Sequence, residues 1–165
     1  MNAFLIVALF FSGILTFNLT NYFIKTRMKG RYGLGEIPFS VHFLKCIHFL
    51  TAAILISEIS VPMKDIQMVL MNSYTGFDLA VQLFTYFSVF LAIVWVVLFV
   101  LFWIAMIIHM VISKTSNPIQ SAIQEDNGSL VLYAGIAIGL SIIIRPGISE
   151  LLEGIIPVQF APVLH

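Results

Sequence analysis

His48, Thr51 and Glu58 recur along one face of the second apolar stretch of this 165-residue chain, at spacings of three and seven. Such spacings place side chains on one side of a helix. A carboxylate inside hydrocarbon is a candidate functional group by default, and a His–Thr–Glu stripe offers sites for passing protons. The same residues also have a simpler use: Glu58 pairs with a cation, and His48 donates to a backbone carbonyl. The best cation for that pair is Arg145, placed toward the same membrane face, so the helices carrying Glu58 and Arg145 are expected to be neighbours. Asn18 and Asn21, with Lys25 further along the same face, form a second polar stripe in the first apolar stretch. Amides in hydrocarbon need partners, which means hydrogen bonds between helices or the lining of a pore. His42, His48 and His109 lie near one end of two different apolar stretches. Imidazoles from two helices at similar depth are the ligand type for a bis-histidine haem or a transition metal, although no ligand spacing marks them as such.

These groups are positioned by four long apolar runs, 3–24, 39–61, 79–112 and 130–144. A membrane-crossing helix needs about 20 mostly apolar residues. Hydrophobic residues make up 60% of the chain, charged residues 10%, and mean hydropathy is +1.04. Soluble domains carry about 25% charged residues, so an ordinary water-soluble fold is excluded. The expected architecture is all-α: a polytopic membrane protein of one domain, with four transmembrane helices in two hairpins. A net formal charge of zero argues against nucleic acid as a partner. The single cysteine, Cys46, leaves no intrachain disulfide and no cysteine metal cluster. Met1-Asn2 supplies no basic n-region, so the first run reads as a retained helix rather than a cleaved signal.

Lys25, Arg27, Lys29 and Arg31 follow the first run. The positive-inside rule therefore puts loop 25–38 in the cytoplasm and both termini outside. Gly30, Gly33, Gly35 and Pro38 punctuate that loop, Pro62 ends the second run, Asp78 is a candidate cap for the third helix, and Arg145-Pro146-Gly147 ends the fourth. The third run, 34 residues long, must tilt, break or project beyond the bilayer. After the fourth run, Ile148, Leu151, Leu152 and Ile155 recur at helical spacing opposite Glu150 and Glu153. That pattern fits a short amphipathic helix lying on the outer interface, or a frayed tail given Gly154 and Pro157.

In the fourth run, Gly135 and Gly139 stand four apart with Ala134 and Ala137 beside them, a groove for close approach of another helix in this chain or in a second copy. Trp95, Trp103 and many phenylalanines make the third helix bulky, a surface for lipid or subunit packing. The stretches 51–60 and 139–148 fall at similar places in the two halves, as in a duplicated hairpin.

Segment 123–144, IQEDNGSLVLYAGIAIGLSIII, resembles a recurrent segment of the YjfL-like family, small bacterial inner-membrane proteins of unknown function. Asn127, Gly135 and Gly139 match its pattern. The resemblance implies two similar hairpins and a bacterial inner membrane, and it carries over no catalytic residues.

The first functional expectation is a structural or interaction subunit, assembling in lipid with copies of itself or with other membrane proteins. The alternatives are an oligomeric ion or proton channel or transporter, with Asn18, Asn21, His48, Thr51 and Glu58 along its path, and a redox subunit holding haem between the second and third helices. An enzyme is not expected, because no nucleophile–base pair is evident, and no cofactor is predicted beyond that haem alternative.

Overall fold

A computed structural model describes residues 3–32, 38–114 and 117–156. The breakers Gly33, Gly35 and Pro157 lie outside them. The described chain is all helical, without a strand: α1 (Ala3–Tyr32), α2 (Phe39–Ser57), α3 (Ser60–Met71), α4 (Gly76–Ser113), α5 (Pro118–Ile123) and α6 (Asn127–Glu153). Four helical stretches are long and apolar enough to cross a membrane, namely Leu5–Thr26, Phe39–Met71, Gly76–Ser113 and Asn127–Glu153. The protein is therefore an all-α, multi-pass membrane protein.

α1, α4 and α6 each outrun the apolar segment that announces them. Hydropathy marks where the hydrocarbon ends, whereas a helix continues until its backbone is capped or broken. Thus α1 passes Ile24 and runs through the basic cluster to Tyr32. The second run is interrupted rather than ended. Pro62 has no N–H to give the Glu58 carbonyl four residues back, and the chain tightens there: Glu58 N–H bonds to Leu55 O at 3.2 Å and Ile59 N–H to Ile56 O at 3.1 Å. Helix resumes as α3, where a loop was expected. Met63, Ile66 and Leu70 form its buried face, and Lys64, Met68 and Met71 its exposed one.

Asp78 does not cap α4. Gly76, at φ +59°, makes the turn into the helix, Thr75 stands at the cap position, and Asp78 falls in the first turn, where its charge suits the helix dipole. Proline-free α4 then runs unbroken for 38 residues, on the order of 57 Å, and so extends beyond a bilayer core. Lys114, in the left-handed region at φ 50°, ends it.

The loop expected between the third and fourth membrane helices contains α5. Asn117 accepts from Gln120 N–H at 3.0 Å with Pro118 at the first helical position, and Asp126 caps α6 through Ser129 N–H at 3.1 Å. The short C-terminal amphipathic helix is not a separate element. Pro146 lies inside α6, and the segment to Glu153 is its continuation. Ile148 and Leu152, 2% and 0% exposed, keep those turns seated on the core despite the backbone bond that Pro146 cannot make.

α6 packs along both α2 and α4, α1 packs on α2, α3 covers α4 and part of α6, and α5 lies against α2 and α6. Two core clusters result. One, around Phe90, Leu55, Met63 and Leu152, fills the end where α3 lies. The other, around Tyr133, Leu44, Leu130 and Ala122, fills the end where α5 lies, and Leu140 borders both. α1 is peripheral. Only 17% of its span window is buried, against 50% for Phe39–Met71.

Candidate functional site

Two polar centres join α2 to its neighbours inside this bundle. The first joins four helices. His48 on α2 places Nδ1 2.9 Å from the Leu44 carbonyl one turn back. A carbonyl only accepts, so Nδ1 carries the hydrogen and Nε2 is left as an acceptor. Tyr133 on α6 fills it, its hydroxyl donating to Nε2 at 3.1 Å. The His48 ring also rests on Phe102 of α4, with centroids 4.3 Å apart.

On the other side of Tyr133 lies His109 of α4, edge-on at 5.8 Å and fully buried. Its Nε2 is 3.0 Å from the Ser129 carbonyl and 2.7 Å from the Ser129 hydroxyl, which is 3.0 Å from the hydroxyl of Ser121 on α5. By the same logic Nε2 bears a hydrogen, and Nδ1 has no hydrogen-bond partner among the described residues. Ser40 at the start of α2 donates to the Ala122 carbonyl of α5. α5 is thus drawn onto the bundle by Ser40 and Ser121, two hydroxyls whose alternative is an unpaired group in a poorly hydrated site. Ser129→Ala removes the middle of this chain. Its expected cost is about 1 kcal/mol, read as a lower midpoint for detergent-induced unfolding and faster proteolysis within α5, while the Glu58 end stays protected.

The second centre is an ion pair. Arg145 Nε on α6 donates to Glu58 Oε1 at the end of α2. The Glu58 side chain is 11% exposed and that of Arg145 55%. The structure thus pairs these two residues and makes α2 and α6 neighbours. The break enforced by Pro62 ends α2 at Glu58, so the carboxylate leaves the helix end toward α6.

The remaining sequence candidates do not converge. The five residues taken as a path along the first two membrane helices are not joined. Thr51 is buried and donates to Ile47 O of its own helix at 2.9 Å. No side-chain hydrogen bond among the described residues links His48 to Glu58, which stand about 15 Å apart along the helix axis. Asn21 is half-buried, while Asn18 is exposed and lines a groove between α1 and α4.

The imidazoles do not form a bis-histidine pair. His42 is exposed, His48 has both nitrogens engaged, and His48 and His109 each lie against Tyr133. A haem iron would have to displace the phenol from His48, so this donor set does not fit the group. Among the described residues, a Cβ placed on Gly135 or Gly139 meets nothing within 4 Å. α6 presents its Tyr133–Ala137–Ser141 side, not its glycines, to the described bundle.

Sequence reasoning missed Tyr133, Ser129, Ser121 and Phe102. A usable signal was present for Tyr133: a phenol in the middle of an apolar run needs a partner for its hydroxyl. Trp95, read from sequence as part of a surface for lipid or subunit packing, is instead half-buried and donates to Thr16 Oγ1 at 3.0 Å, tying α1 to α4.

Two apolar grooves flank α1. One, of about 440 Å³, lies between α1 and α2 and is lined by Phe10, Gly13, Phe17, Phe49 and Ala53. The other, of about 690 Å³, lies between α1 and α4 and is lined by Phe11, Asn18, Phe84, Ser88 and Trp95.

The chain matches no protein-family model, no curated protein and no solved structure.

Proposed function

We propose that this membrane protein acts as a structural or interaction subunit, working by assembly with other membrane proteins rather than by catalysis. The observation that carries the reading is the state of α1. It is a full membrane-length helix attached along one flank, with an apolar groove on either side and most of its large side chains exposed. α1 gives Leu5 and Ile24 to the two core clusters and is tied to α4 by Trp95, but its outer face is left uncovered by the rest of the bundle, so that face is the one free to take part in another interface. Without a hydrophobic driving force between helices in lipid, assembly there rests on close packing and on polar groups within hydrocarbon, and α1 carries both a groove and an amide. On this reading the protein lies in a bacterial inner membrane, as the YjfL-like resemblance implies, with the basic end of α1 in the cytoplasm.

The test is the protein mass in lipid nanodiscs or a mild detergent, corrected for bound lipid. The expected result is a stable species heavier than the 18.5 kDa chain. Replacing apolar residues on the outer face of α1 (Phe11→Ala with Leu15→Ala) is expected to shift it to 18.5 kDa without loss of helix. A species of single-chain mass at every concentration, with no co-purifying membrane protein, defeats the reading.

A further inference from the structure

We propose that the partner seated on α1 is a second copy of this chain, related by a two-fold axis along the membrane normal and held in register by Asn18 paired with its own counterpart. The proposal rests on the assembly reading above and names its occupant.

Phe11, Ile14, Leu15, Asn18 and Tyr22 are all exposed and recur at helical spacing, which makes one continuous stripe on the outside of α1. Asn18 lies well within the Leu5–Thr26 span, about 20 Å from one end and about 12 Å from the other. An asparagine side chain is too short to reach the interface from there, unlike the long stems of lysine and arginine. No hydrogen bond joins its side chain to another described residue, and acyl chains offer neither donor nor acceptor. An amide carries both. Two copies of the same amide across a two-fold axis therefore satisfy each other reciprocally, whereas an acyl chain in the groove leaves both groups bare. A lone asparagine in an apolar seam also sets helix register and orientation, and the two-fold makes the same patch serve both partners.

The groove beside the stripe is built from small residues facing large ones. Ala8, Ser12 and Ala92 leave the space, and Phe84 and Trp95 wall it. It is suited to receive the aromatic side chains of a neighbouring α1. The opposing effect is Lys25, exposed and two turns further along the stripe. It stands at the water boundary, where solvation and salt screen a like-charge pair.

Cys46 is the chain's single cysteine and is exposed, so the intact protein can carry one donor or one acceptor dye. Energy transfer is measured in phosphatidylcholine vesicles as the protein is diluted with lipid. Wild-type protein is expected to show transfer that falls with dilution. Asn18→Leu is expected to weaken association about tenfold, while Asn18→Gln, which keeps both hydrogen-bonding groups, stays near the wild type. Because Asn18 is exposed in the single chain, Asn18→Leu should unfold at the same detergent concentration as the wild type. In a Cys46→Ala background, Leu15→Cys is expected to form a disulfide-linked dimer on mild oxidation, and Gly135→Cys is not. Four results overturn the proposal. Unchanged association in Asn18→Leu does so, as does cross-linking through Gly135→Cys alone; in both cases assembly stands and only its surface is wrong. A single-copy species that co-purifies with a different membrane protein also overturns the second copy and leaves the assembly reading intact. A monomer with no companion removes both.

Discussion

Replacing Arg145 with alanine is expected to destabilise the bundle by about 3 kcal/mol, because it leaves the Glu58 carboxylate without its counter-ion in a site where the side chain is only 11% exposed. The damage should be asymmetric. Arg145 is 55% exposed and can carry its charge to water, so Glu58→Gln, which keeps an acceptor of the same shape, should cost only about 1 kcal/mol. Removing both charges together in Glu58→Leu/Arg145→Leu should recover most of the loss, since a desolvated pair often does little better than well-packed apolar residues. Detergent-induced unfolding followed by the fluorescence of Trp95 and Trp103 measures all four proteins. If Arg145→Ala unfolds at the wild-type midpoint, the pair does not hold α2 to α6.

Tyr133→Ala is expected to be comparably severe, at about 3 kcal/mol. Tyr133 is 2% exposed and stands between His48 and His109, so its loss opens a cavity where α2, α4 and α6 meet. Lipid reduces the solvent-transfer part of that cost and leaves the lost packing contacts, which are the main source of cohesion here. Tyr133→Phe separates the two contributions. It keeps the ring and removes the hydroxyl that serves His48 Nε2, and the expected cost is about 1 kcal/mol. The same unfolding titration reads both variants. Equal loss in Tyr133→Phe and Tyr133→Ala would mean that the hydrogen bond, not the packing, carries the effect. Backbone amide exchange around Ser121 and Ser129 should rise in Tyr133→Ala, because the His109 ring then loses the surface it rests on.

The two centres differ in how readable they were. Glu58 stood out as a charge inside an apolar run and Arg145 as the charge that closes another, and their depth follows from residue counting along two helices of the same direction. Depth along the membrane normal is set by rise per residue, a quantity available without any tertiary information. Tyr133, Ser129 and Ser121 were less visible. Their types occur often in lipid-facing and interfacial positions, and only contact with His48 and His109 makes them a set. The path expected through Asn18, Asn21, His48, Thr51 and Glu58 is not joined by side-chain hydrogen bonds among the described residues, for a related reason. Residues sharing a face within one helix do not share it between helices until each helix has been rotated into place.

Helix ends illustrate the same division. Apolar runs located four membrane crossings, but not α3, α5 or the final turns of α6. α3 forms because its apolar residues recur against α4, and α5 because Ser40 and Ser121 draw it onto the bundle. Pro146, read as a stop, is carried inside α6 because Ile148 and Leu152 have a core to enter.

Sequence alone therefore determined the solvent, the helical class and the number of crossings, all of which depend on transfer energies summed along the chain and need no knowledge of neighbours. Tertiary structure alone decided that Tyr133 faces inward between two histidines, that Asn18 faces outward, and that Gly135 and Gly139 lie away from the other described helices. The physical reason is rotational: a helix that is apolar nearly all the way round fits lipid equally well at any angle about its axis, and only packing against its neighbours selects one.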